Sequence, residues 1–263
     1  MPKYISTSEA ARIAGVTPSS IKRWADQNLL PCEKTAGGHR RFELGALRRF
    51  MEGVIESEEP NTDVDDWIDV LTQGAHNGTL ARLYQALHER KQWCHVADQL
   101  GAVLKAIGDQ WVAGTLTIAE EHVASDTLTR ALNHVGSGLG VGNGLRRGLL
   151  ATVEGDSHEL GLRLAELCLN ARMWDSMWLG RDTPTKVLIE RIMQERLDIV
   201  ALSASVNTGS IQQITTNASR VAEACRSQGV LLVLGGLGTW PEIEGAVRVH
   251  SFSEFDTLLS RLF

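Results

Sequence analysis

The hydrophobic period of this chain changes near residue 149, and that change bounds the fold. Beyond it, three short apolar runs alternate with helical patterns. The runs are Leu149–Val153, Asp198–Leu202 and Val230–Leu234; the helical patterns cover Leu160–Asn170, Lys186–Glu195 and Ser210–Gln228. A strand covered by helices on both faces is apolar throughout, and parallel neighbours need a helical crossover, so this alternation predicts a parallel sheet. Met173–Leu179 and Val247–Val249 are weaker candidate strands. Five strands and five helices make a flavodoxin-like α/β domain, placed at residues 146–263.

Before that point the period is helical. Trp67/Val70/Leu71, Leu80/Leu83/Leu87, Val96/Leu100/Val103/Leu104 and His122/Leu128/Leu132 recur at helical spacing, which predicts a four-helix bundle over residues 65–138. Residues 136–148 hold six glycines and read as a linker. Residues 51–64, with Glu56-Ser57-Glu58-Glu59-Pro60-Asn61, read as another.

The first 52 residues carry clear helix punctuation. Ser6-Thr7-Ser8-Glu9 is a capping box, with Ala10, Ile13 and Ala14 as the apolar face and Gly15 as the stop. Thr17 caps a second helix with Pro18 at its first position. Ile21, Trp24 and Ala25 face inward, leaving Ser19, Ser20, Lys22 and Arg23 outward. Two short helices joined by a glycine turn predict a helix-turn-helix. Lys34 to Phe42, with Gly37-Gly38 at its tip, predicts a basic hairpin, and Glu43–Phe50 a third helix.

Charge separates this head from the rest. Residues 1–50 hold nine Lys/Arg and four acidic residues, a net +5, so the remainder carries −11 of the total −6. A basic head on an acidic body predicts that a polyanion meets the head alone. No apolar run approaches the ~20 residues of a membrane span. The four cysteines lie far apart without a CxxC pair, and no apolar signal region opens the chain, so a zinc site, a disulfide framework and secretion are not expected and a cytoplasmic location is. No nucleophile triad, paired-carboxylate or phosphate-loop signature points to an enzyme.

The sharpest constellation is Gly155-Asp156-Ser157-His158-Glu159-Leu160-Gly161, directly after the first strand. Ligands of open α/β sheets bind at the carboxyl ends of strands. His158 there is placed to coordinate, Asp156 to accept from its imidazole N–H and strengthen it as a ligand, and Gly161 to let a ligand approach backbone. Ser203-Ala204-Ser205 and Gly235-Gly236 follow the third and fourth strands at the same sheet edge.

These residues resemble the cobalamin-binding domain family, whose pattern is DxHxxG, then SxL, then GG. The resemblance implies that His158 is the cobalt axial ligand with Asp156 as its partner. It further implies that Gly161, Ser203, Gly235 and Gly236 line the pocket of the displaced nucleotide tail. Ser205 stands where the family has leucine. In the bundle, Trp111 is followed after nine residues by Glu121-His122, which resembles the cap of CarH-type photoreceptor repressors. There the tryptophan packs over the upper face of adenosylcobalamin and the Glu-His pair contacts the adenosyl group. The head is similar to MerR-type winged helix-turn-helix domains. That likeness makes Ser19, Ser20, Lys22 and Arg23 candidates for the major groove, and His39, Arg40 and Arg41 in the wing candidates for phosphate or minor-groove contacts.

The CarH-type resemblance covers the whole chain in one domain order. It implies a repressor that binds double-stranded operator DNA as a homo-oligomer, a tetramer, in the dark, and leaves it when light breaks the Co–C bond. Best-known members carry a histidine directly after the capping tryptophan that ligates cobalt after illumination; here that residue is Val112, leaving water, His122, His95 or another histidine to substitute. A regulator responding to cobalamin level without light, and a corrinoid carrier protein, are the alternatives.

Overall fold

The computed structural model describes residues 4–262 except 15–17, 27–29, 36–37, 48–61, 141, 143 and 207, and within that range omits the side chains of Ala14, Ser20, Arg23, Asp26 and Thr62. Two compact units divide the chain, Met1–Thr62 and Asp63–Phe263.

The first unit holds β1 (Tyr4–Ser6), α1 (Thr7–Ala14), α2 (Pro18–Asp26), β2 (Glu33–Lys34) and β3 (Arg40–Glu43), and residues 44–47 are helical. The expected capping box is present. Ser6 Oγ accepts from the Glu9 N–H at 3.3 Å, and Glu9 accepts from the Ser6 N–H at 2.8 Å. Such a cap stabilises a helix by about 1 kcal/mol. Pro18 opens α2 as expected; Gly15, Thr17, Gly37 and the linker residues 51–61 lie outside the described residues. β1 was not legible beforehand: three residues are too few to show a period. It pairs antiparallel with β3, which also pairs with β2.

The apolar face of α1 differs from expectation. Ala10 and Ala11 are buried, whereas Ile13 remains 40% exposed. Both α2 and β3 pack on α1, and small side chains allow that close approach. The head's core comprises Ile5, Ala10, Ala11, Ile21, Trp24, Leu30, Phe42 and Leu47.

The second unit begins with four helices, α3 (Thr62–Thr72), α4 (His76–Arg90), α5 (Trp93–Val112) and α6 (Ile118–Gly138). The linker expected up to residue 64 therefore ends earlier. There follow β4 (Arg147–Thr152), α7 (Leu160–Ala171), β5 (Asp175–Gly180), α8 (Thr185–Gln194), β6 (Ile199–Ser203), α9 (Ile211–Gln228), β7 (Leu231–Gly235), β8 (Ala246–Arg248) and α10 (Phe252–Ser260). The sheet is parallel in the order β5-β4-β6-β7-β8. This is the flavodoxin-like arrangement, with the switch point beside β4.

Alternate strand residues serve two cores. Leu150, Ile199, Ala201 and Val233 face the side that also contains α7, α10 and the bundle residues Trp67, Leu100, Val103 and Leu128. Leu149, Ala151, Val200, Leu202, Leu232 and Leu234 face α8 and α9. Bundle and sheet thus share one continuous core through α7 and α10, against which α5 packs.

The glycine-rich stretch is shorter as a linker than expected. Gly136 and Gly138 belong to α6 and Gly148 to β4. A Cβ on Gly148 would lie 2.9 Å from Leu169 Cδ1, and one on Gly136 3.4 Å from Asn170 Nδ2. These two glycines permit close packing onto α7 rather than flexibility.

Candidate functional site

The carboxyl ends of β4, β6 and β7 converge at the predicted edge. Asp156, in the loop after β4, is its organising residue and is buried. Its Oδ1 accepts from the backbone N–H of His158 at 2.9 Å and pairs with His158 Nδ1 at 2.8 Å. Its Oδ2 accepts from the Ser205 N–H at 2.5 Å and the Thr208 hydroxyl at 2.7 Å. Burial alone pushes the Asp156 carboxyl up. The hydrogen bonds from His158 N–H, Thr208, the His158 ring and Ser205 N–H outweigh it and leave the group below the usual aspartate value. An anionic carboxylate only accepts, so Nδ1 of His158 carries a proton, and in the neutral ring Nε2 holds the lone pair. The His158 side chain is 64% exposed, so that lone pair is available to a ligand.

The loop itself is braced from the neighbouring strand. Thr152 Oγ1 donates to the Asp156 carbonyl at 2.6 Å and accepts from the Asp182 N–H at 2.8 Å. Asp182 Oδ1 accepts from the Gly155 N–H at 2.7 Å, where Gly155 has a φ of +86°. Thr152, Asp182 and Thr208 were not foreseen. Thr152 ends β4 itself, whereas Asp182 and Thr208 reach the loop from beyond β5 and β6, and no spacing in the sequence reports those two. The departure at Ser205 keeps this network intact: its backbone N–H serves Asp156, and its hydroxyl lies 3.1 Å from Thr208 Oγ1.

Ser203 ends β6 and is buried; Gly235 ends β7. Gly236 has a φ of +82°, and a Cβ there would stand 2.3 Å from the Ala204 carbonyl oxygen and 2.7 Å from Ser203 Oγ. The β6 and β7 ends are therefore in contact at this turn. Gly161 and Gly235 differ: a Cβ on either meets nothing within 4 Å.

The bundle residues occupy the α5–α6 junction. Thr117 and Glu120 form a capping box, which fixes Glu121 at the end of the first turn of α6 and His122 directly after it. Glu121 Oε1 accepts from Ser125 Oγ at 2.7 Å, and Oε2 lies 3.5 Å from His122 Nε2. Trp111 is 46% exposed at the end of α5 and exposed Val112 follows it, while Ile118 and Val123, also exposed, lie near the start of α6. His122 is itself exposed rather than on the core face its spacing predicted, since it stands two positions before Ala124 and six before Leu128, spacings that do not share a helix face. Among the described residues no hydrogen bond or ion pair joins Trp111, Glu121 or His122 to the His158 group.

In the head, Ser19, Lys22, His39 and Arg41 are exposed. Arg40 is half-buried, and its Nη1 donates to the Lys22 carbonyl at 3.2 Å, tying the wing strand β3 to α2. The side chains of Ser20 and Arg23 lie outside the described ones.

Comparison with known families gives three matches. Residues 6–42 match the MerR family regulatory proteins, residues 64–135 one B12 binding domain family and residues 146–251 another. The class is thereby defined: a cobalamin-binding transcriptional regulator with a MerR-type DNA-binding head. Over 262 residues the chain is 27% identical to the HTH-type transcriptional repressor CarH of Myxococcus xanthus, covering 86% of this chain and 87% of CarH. It is 35% identical over 123 residues to the repressor CarA of the same organism, 47% of this chain and less than half, 42%, of CarA. The monomethylamine corrinoid protein of Methanosarcina barkeri superposes with a TM-score of 0.59 at 19% identity, over 77% of this chain and all of that one; this likeness concerns the fold. With these homologies and this domain content, the chain is a CarH-type cobalamin-binding MerR regulator. No helix among the described residues is long and apolar enough to cross a membrane.

Proposed function

We propose that this chain is a light-responsive repressor that holds adenosylcobalamin between its bundle and its α/β layer. The observation that carries the reading is the Asp156–His158 pair, which offers an oriented, solvent-facing imidazole nitrogen at the carboxyl edge of the sheet. Two further features fit a cobalt corrinoid. Neutral imidazole suits cobalt. The space beside Gly161 and Gly235, where an added Cβ meets no described group within 4 Å, suits a ligand lying against backbone.

Adenosylcobalamin supplies a Co–C bond that green light breaks. His158 would hold its cobalt through Nε2 while Asp156 fixes the imidazole's tautomer and ring plane. Gly161, Ser203, Gly235 and Gly236 accommodate the nucleotide tail. Trp111 would cover the corrin with apolar surface that is otherwise left to water, and Glu121 would accept from ribose hydroxyls, with His122 beside it. Cofactor contacts made by both layers select one arrangement of bundle and sheet. That arrangement presents the surface that assembles protomers into a tetramer. Several heads then grip one double-stranded operator, with Lys22, Arg23 and Ser19 to Ser20 toward the major groove and His39 to Arg41 toward the backbone, and linked binding raises avidity.

The test is reconstitution with adenosylcobalamin in the dark, followed by size, absorption and operator binding before and after green light. Larger dark particles that bind DNA and dissociate on illumination are expected. An adenosylcobalamin spectrum unchanged by light removes the photoreceptor reading. One observation favours a second reading, cobalamin-level sensing: Val112, 79% exposed, offers no atom that ligates cobalt after illumination. Operator binding that follows cobalamin loading and ignores light would establish that reading.

A further inference from the structure

The turn after β7 is held by two side chains that the sequence motif does not contain. Gly235's carbonyl accepts from Trp240 Nε1 at 2.8 Å. Arg248, in the edge strand β8, donates Nη2 to the Gly236 carbonyl at 2.5 Å and Nη1 to the Leu234 carbonyl at 3.0 Å. One guanidinium thus spans the two carbonyls that flank Gly235. Its planar fork fixes their separation in a way a point charge cannot.

The charge of this group is unusual in its surroundings. Arg248 is half-buried, and burial draws its pKa down. Its partners are neutral carbonyls. Among the described residues no carboxylate lies within ion-pairing distance; Glu254, the acidic group that acts on it from further off, accepts instead from the His250 N–H at 2.7 Å. A cation partly removed from water and facing only dipoles gains from an anion beside it. That anion would sit at the glycine turn, the place assigned above to the nucleotide tail. A complete cobalamin carries one negative charge there, on its phosphodiester; a corrinoid truncated before the nucleotide, such as cobinamide, carries none.

We propose that Arg248 is the residue by which this protein selects complete, phosphodiester-bearing cobalamins over tail-less corrinoids, by pinning the Gly235–Gly236 turn and placing a guanidinium charge beside it. The inference rests on the tail pocket proposed above. It concerns a positioning and charge-bearing residue, so the readout is a ratio of affinities rather than an affinity.

The experiment measures binding of cobalamin and of cobinamide to the full chain and to Arg248→Gln and Arg248→Lys, by absorption titration in the dark. The wild type should favour cobalamin. Arg248→Gln should lose about tenfold in cobalamin affinity, the scale of one charge-assisted hydrogen bond, while cobinamide affinity changes by less than about twofold. Arg248→Lys keeps the charge and loses the fork, so it should recover part of the ratio. Equal loss for both corrinoids in both variants, or an unchanged ratio, would overturn the proposal. A wild type that binds neither corrinoid overturns the cofactor reading itself, a result distinct from either.

Discussion

Asp98 of the bundle caps the last helix of the α/β layer. Its Oδ1 accepts from the backbone N–H of Phe252 at 2.6 Å and its Oδ2 from that of Ser253 at 3.2 Å, and the Ser253 hydroxyl also donates to Oδ2. These are the orphan donors at the start of α10, where the helix dipole also favours an anion. Asp98 lies on α5, whose far end carries Trp111. The cap therefore registers the tryptophan-bearing helix against the sheet that carries His158. Arg172 reinforces the other side of α10 through Asp256, at 2.5 and 2.6 Å.

Asp98→Ala should lower unfolding stability by about 1–3 kcal/mol, the loss of a cap plus buried donors left unpaired. Asp98→Asn, which retains one acceptor oxygen, should cost less. Urea unfolding followed by circular dichroism measures both, and an unchanged midpoint for the alanine variant would show that water replaces the carboxylate without loss.

His158 and Asp156 should separate when each is replaced. His158 is largely exposed, and Asp156 keeps its donors from Ser205 and Thr208, so His158→Ala should cost at most about 1 kcal/mol of stability while cobalamin no longer survives gel filtration. Asp156→Asn turns one of two acceptor oxygens into a donor, leaving either the two His158 groups or the Ser205 N–H and Thr208 hydroxyl without an acceptor, so it should cost about 1–3 kcal/mol without cofactor as well. A cofactor-free Asp156→Asn protein as stable as wild type would mean that the loop does not depend on this carboxylate.

The same carboxylate sets an acid limb. Its folded pKa lies below the unfolded value, so its contribution is full above the ordinary aspartate range and disappears as pH falls through the lowered value. The stability difference between wild type and Asp156→Asn should therefore be largest near pH 7 and shrink below about pH 4. Unfolding midpoints across that range test the sign; a difference that widens in acid would contradict it.

What the sequence disclosed follows from the range of the interactions involved. Capping at Ser6 and Glu9, the apolar strand runs and the DxHxxG loop are written in residues a few positions apart, so period and spacing expose them. Thr208 on Asp156, Asp182 on Thr152, Asp98 on Phe252 and Arg248 on Gly236 join residues 12 to 154 positions apart. No local pattern reports such pairs. The glycines at 136 and 148 were misread for a related reason: a glycine needed for close packing looks, in one dimension, like a glycine needed for bending.

The two glycines of the β7 turn should respond oppositely to one added methyl group. At Gly236 the methyl would meet the Ala204 carbonyl at 2.3 Å in a left-handed backbone, and neither backbone atom has room to yield. Gly236→Ala should therefore destabilise the cofactor-free protein, by about 1–3 kcal/mol. At Gly235 the methyl meets nothing within 4 Å, so Gly235→Ala should fold like wild type. If a nucleotide tail lies against that backbone, the same methyl stands in its path, and cobalamin affinity should fall while cobinamide affinity holds. Gly161→Ala also finds open space and should likewise affect binding more than stability. Thermal unfolding without cofactor, paired with corrinoid titration, reads both properties. Normal cobalamin binding by both Gly235→Ala and Gly161→Ala would move the tail away from these positions and leave their glycines without a role.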